Sequence, residues 1–167
     1  MNNNSTPSAK KYEITDIVHP DNPDLYRIRA LRDIELHGVK AGDLGGYVGS
    51  ERNLWQFGNA WVGGDATVSG NAHVYGNAHV YGNAIVHGNA SVTDYALVSG
   101  NAKVYGNAAI TDEAYIIGSA EIGSGTHTQD TITFNEESKT VTITREVTEE
   151  ELLHVIRTCP GEWKILS

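Results

Sequence analysis

Residues 70–92 read GNAHVYGNAHVYGNAIVHGNASV, a run in which glycine, asparagine and alanine return every six residues. Extended in both directions, the same register places a β-branched residue at Val62, Val68, Val74, Val80, Val86, Val92, Val98, Val104, Ile110, Ile116 and Ile122. Two positions ahead of each stands an alanine, from Ala60 to Ala120 without exception. The unit is G-N-A-x-V-x. An α-helix cannot use this spacing, because six residues turn it by roughly 600° and scatter the valines around the cylinder. A short strand can. Alanine and the valine two places on share one face, while the residues between and after them point the other way. Gly-Asn makes the corner, since both residues tolerate the positive φ that branched ones resist.

Three strands and three corners, about 18 residues in all, close a triangular coil with valine inside and alanine where the walls crowd. The expected fold is all-β, a parallel β-helix of about four coils spanning residues 58–123. Residues 1–11 read as a disordered tail and residues 12–57 as an N-terminal cap with an irregular first coil. In that cap, extended segments Tyr12–Val18 and Leu25–Leu36 flank a turn-rich stretch and predict a hairpin. Val48 and Leu54 keep the six-residue step, whereas Leu54 to Val62 is eight, which predicts a small insertion. Residues 124–167 read as a C-terminal cap or assembly element. It contains a hairpin from TITF (131–134) and TVTIT (140–144), a short helix starting at Thr148 and a last strand in EWKILS. Asn71, Asn89 and Asn107 fall along one corner, where their amides are expected to form a hydrogen-bonded ladder.

The repeat resembles the hexapeptide-repeat family, whose motif is an aliphatic residue followed four places on by a small one; Val74-Tyr75-Gly76-Asn77-Ala78-His79 fits it. The resemblance covers Gly58 to Gly123. It implies a left-handed coil, against the right-handed rule for parallel crossovers, and a homotrimer of prisms packed side by side. LYRIRALRDI (25–34), KAGDLGGYV (40–48) and NLWQFGNAWV (53–62) are similar to the N-terminal module of a group of hexapeptide-repeat proteins from bacteria and their phages. That likeness implies a phage or mobile-element accessory protein.

Twelve Lys+Arg against 21 Asp+Glu give a net charge of −9, which disfavours general nucleic-acid binding. The N-terminal residues hold no apolar stretch that reads as a signal or membrane segment, so a cytoplasmic location is expected, the host cytoplasm if phage-encoded. Cys159 is the single cysteine, and there is no His-x-His pair or cysteine cluster, so neither a metal nor a cofactor is expected.

Outward positions sort into three walls. One carries Trp61, His79, Leu97 and Tyr115 with Gly63, Tyr81, Ser99 and Ile117, an apolar stripe that invites packing against something else. The second carries Thr67, Ile85, Lys103 and Glu121 with His87 and Tyr105; the third carries His73, Ser91 and Ala109 with Tyr75, Thr93 and Thr111. The expected function is non-catalytic: an oligomeric protein that engages a host protein or sequesters a small nucleotide-like signal. Candidate contacts are Trp61, His79, Tyr81, Tyr105 and Tyr115, with Lys103 or Arg52 for an anionic group. The alternative that the resemblance implies is an acyltransferase using acyl-CoA, with His79 as the best candidate for its general base.

Overall fold

The computed structural model describes residues 9–128, together with the backbone of residues 131–135, 140–143 and 164–166. Strands of mostly two residues stack into three parallel walls. The first holds Trp61–Val62, His79–Val80, Leu97–Val98 and Tyr115–Gly118; the second Thr67–Val68, Ile85–Val86, Lys103–Val104 and Glu121–Ile122. The third holds His73–Val74, Ser91–Val92, Ala109–Ile110 and Thr126–His127. Valine lies over valine along each wall, as in Val62, Val80 and Val98. All eleven aliphatic positions and all eleven alanines are buried, most of them completely. The molecule is a parallel β-helix of about four turns.

Corners follow from the same spacing. Gly82 has φ +72, and a Cβ there would lie 3.1 Å from the backbone nitrogen and oxygen of Gly100 in the next coil, so conformation and space both favour glycine. At Asp94 and Asp112 the left-handed position is held by aspartate instead, at φ 56° and 54°. The Asp94 carboxylate accepts hydrogen bonds from the hydroxyls of Thr111 and Thr93, which hold its pKa below the usual carboxylate value. Asparagine amides bond from coil to coil, Asn71 to Asn89 and Asn89 to Asn107 at 3.1 Å each, and a second ladder joins Asn83 to Asn101.

Both ends depart from the repeat. Val48 pairs under Val68 and Leu54 under Val74, two residues beyond the regular step, and the surplus is absorbed between Leu54 and Ala60. At the other end Ile110 faces His127 and Ile116 faces Ile132, so the final coil is shortened. His127 thereby takes an inward position and is buried, its Nε2 3.2 Å from the Ser124 carbonyl.

The N-terminal hairpin, β1 (Tyr12–His19) and β2 (Asn22–Ala30), pairs through β3 (Leu44–Val48) with Thr67–Val68 and so extends the second wall. Ile28, Ile34 and Tyr12 complete the core beneath the first coil, and the Tyr12 hydroxyl donates to the Leu54 carbonyl at 2.7 Å. The second extended segment ends at Ala30; beyond it comes a short 3-10 turn, Glu35–His37. The expected tail also stops short, because Lys11 is fully buried and its ammonium donates to the Ala60 carbonyl at 2.7 Å. Burial, reinforced by Arg32, lowers the Lys11 pKa to about 7.

At the C-terminal end Thr131–Asn135 continues the first wall, pairs antiparallel with Thr140–Ile143 and is followed by Lys164–Leu166. The helix expected from Thr148 lies outside the described residues.

Because each valine fills a closed interior, Val98→Ala is expected to destabilise by about 2–3 kcal/mol, from two lost methyl groups and the cavity left behind. Ser91→Ala, on an outer face, should change stability by less than about 0.5 kcal/mol. Urea unfolding of the two variants checks this; equal effects would contradict the inward assignment.

Candidate functional site

The first wall bears a shallow groove of about 600 Å³, lined by Leu36, His37, Asn77, His79, Tyr81, Tyr95, Leu97, Glu113 and Tyr115. Its geometry follows from the repeat. His79, Leu97 and Tyr115 are the outward residues of successive strands in one register, and Tyr81 follows the inward Val80. Tyr95 enters from the corner where Asp94-Tyr95 replaces Gly-Asn, which puts a phenol ring where the coil below has the Asn77 amide. Tyr95 is 59% exposed and Tyr115 43%, and Tyr81 and Leu36 are also open to solvent.

His37 closes one side. It ends the 3-10 turn, which Gly38 terminates in the left-handed conformation. Its imidazole packs on His79 at 4.3 Å between ring centroids, and His79 in turn packs on Tyr81 at 4.6 Å. Burial, and then the neighbouring His37, push the His79 pKa down to about 4. His37 is also lowered, chiefly by burial, although the carbonyls of Asn77 and Asn59 favour its charged form. Its Nε2 is buried with no hydrogen-bond partner among the described residues.

The expected site residues do not converge. Trp61 is the clear correction: it is 2% exposed and belongs to the core, so it is not a contact residue on an open stripe. The reason lies in β3, which passes over the indole at Gly45. A Cβ on Gly45 would lie 2.6 Å from Trp61 Cζ2, so the missing side chain is what allows the strand to cover the ring. His79, Tyr81 and Tyr115 do share the groove. Lys103 and Tyr105 are on the second wall, Lys103 paired with Glu121 at 2.7 Å and Tyr105 stacked on His87 at 5.6 Å. Arg52 stands beside His73 and Tyr75, which belong to the third wall.

Five groove residues fall outside the stripe that the period sorts: Leu36 and His37 come from the N-terminal turn, and Asn77, Tyr95 and Glu113 from one corner of successive coils.

Chemically, the groove offers aromatic faces and a largely neutral imidazole. A base held near 4 is poorly matched to removing a proton from a hydroxyl or amine at neutral pH. The rings in contact with His79 are His37 and Tyr81, and the groove's carboxylate is Glu113. Among the described residues no group of three or more His, Cys, Asp or Glu is arranged to hold a metal ion, and no helix is long and apolar enough to cross a membrane. In comparison with known proteins, no protein-family model matches this chain and no curated protein does.

A histidine whose folded pKa is depressed contributes stability that is present above its unfolded pKa and lost as the pH falls through the folded one. Stability is therefore expected to decline between about pH 6.5 and pH 4, by on the order of 2–3 kcal/mol from His79. Chemical unfolding followed across that window should show a shallower decline in His79→Phe; an unchanged slope would contradict the burial argument.

Proposed function

We propose that this protein is a non-catalytic binding protein that works as an oligomer, with the aromatic first wall as its docking surface. The carrying observation is the run of apolar groups along the groove: Leu36, Tyr81, Tyr95 and Tyr115 are exposed, and Leu97 among them is half-buried. Such a stripe on a charged protein favours burial against another surface. A second copy of the same flat-sided prism is the first occupant, and a homotrimer is the association that the repeat resemblance supports. The resemblance of the N-terminal module supports an accessory role encoded by a phage or mobile element, acting in the host cytoplasm on a host protein or a small nucleotide-like signal. The depressed pKa of His79 weighs against the acyltransferase alternative, which needs an effective base at that position.

Sedimentation equilibrium of the wild type is expected to give a multiple of 18.0 kDa. The double variant Leu97→Glu, Tyr115→Glu should dissociate, with association weakened at least about hundredfold, because carboxylates desolvated without partners cost several kcal/mol. A wild-type monomer would remove the oligomeric reading. A thermal upshift with acyl-CoA that disappears in His79→Ala would instead favour the enzyme.

A further inference from the structure

We propose that a second pocket, on the third wall where the first coil carries its two-residue insertion, binds a planar aromatic anion. It lies on a different wall from the docking surface and stands independently of it. The pocket has a volume of about 400 Å³ and is lined by Arg52, Trp55, His73, Val74 and Tyr75. That volume is in the range of small-molecule sites.

Its origin is the irregular coil. Leu54 bridges to Val74, both pointing inward, so the next residues in register, Trp55 and Tyr75, point outward together, and the Trp55 amide donates to the Val74 carbonyl at 3.0 Å. Register neighbours of this kind commonly stack. Here the indole leans instead toward Phe57, at 5.9 Å and 53°, and makes no ring contact with Tyr75. Trp55 remains 56% exposed. Two large aromatic faces are therefore open to a ring that neither supplies to the other, and aromatic pairs favour such offset or edge contacts.

Arg52 supplies charge. Its guanidinium has no ion pair or hydrogen bond among the described residues, although acidic groups outnumber basic ones 21 to 12 in the chain. The adjacent Glu51 is engaged by Lys10 at 2.6 Å. Arg27, Arg29 and Lys40 each hold a carboxylate. Arg52 is kept beside the aromatics by the backbone: it sits in the 3-10 turn Glu51–Asn53, which Ser50 and Asn53 cap reciprocally. The Asn53 amide ties that turn to the carbonyls of Gly70 and Ala72.

His73 adds direction. Its Nδ1 lies 2.9 Å from the Arg52 carbonyl. A carbonyl only accepts, so Nδ1 carries the proton and Nε2 of the neutral ring is the open acceptor. The lining thus presents aromatic faces, one cation and one acceptor, which matches a flat ring bearing an anionic group and an N–H donor. Aryl carboxylates with a ring N–H and purine nucleotides share this chemistry.

Isothermal titration of the full chain with indole-3-acetate is expected to show saturable binding at one site per chain, and indole-3-ethanol, which lacks the charge, should bind at least about tenfold more weakly. In Arg52→Gln that preference should vanish; in Trp55→Ala binding of both should weaken. Both side chains are exposed, so the variants should melt with the wild type, and Tyr75→Leu serves in place of Trp55→Ala if the latter melts early. Adenosine 5′-monophosphate separates the two sources: tighter binding than indole-3-acetate points to nucleotides, weaker binding to aryl acids, and either supports the pocket. No saturable binding of any probe, a charge preference that survives Arg52→Gln, or binding untouched in both aromatic variants would overturn it.

Discussion

Two-residue strands cannot stand alone, and what holds them is the enclosure of one aliphatic side chain every sixth residue. In water a strand this short gains too little from its ladder hydrogen bonds to offset the entropy of ordering it. Here each strand lies between copies of itself, and each valine or isoleucine removed from water contributes on the order of 1.5–3 kcal/mol relative to exposure. Alanine is as necessary as valine. The column from Ala60 to Ala120 is buried throughout, beside corners where backbones of successive coils come within van der Waals contact. With the interior committed in this way, outward side chains have little part in holding the coil. The walls are where this scaffold carries chemistry.

That division explains which features were legible from residues alone. A period of six separates inside from outside directly, so the buried columns, the membership of the three walls and the ladder Asn71–Asn89–Asn107 all follow from counting. What covers an outward residue does not. Trp61 occupies an outward register yet is sealed by β3, and the clue is a glycine at position 45 whose significance appears only once the strand lies across the indole. Lys11 is similar: a lysine after a polar leader reads as tail, and its burial depends on an acceptor at Ala60, far along the chain. The count itself puts Lys103 and Tyr105 on the second wall, and within one copy of the chain they, like Arg52, stand apart from the groove aromatics. The pocket at Trp55 was missed for a further reason. An insertion breaks the very count that assigns direction.

The two surfaces have different physical character. The groove on the first wall combines tyrosines, Leu36 and Leu97 with Asn77, Glu113 and an imidazole pair whose pKa values burial lowers, a mixed lining of aromatic faces and polar groups. The pocket on the third wall is smaller and holds a cation without a carboxylate partner among the described residues. They occupy separate walls, so a small ligand and a protein neighbour need not compete for the same side chains.

A tube of near-identical rungs carries little internal address. The hexads around Val74, Val80, Val86 and Val92 are so alike that a folding chain could skip one and still find valine above valine, a slip of a third of a turn with small local penalty. Here the oversized first coil, with Leu54 set under Val74, and the histidine that stands in for an aliphatic residue at position 127 serve as stops at the two ends of the stack. Irregularities that look like decay of the repeat are thus what allows a monotonous sequence to settle on a single alignment.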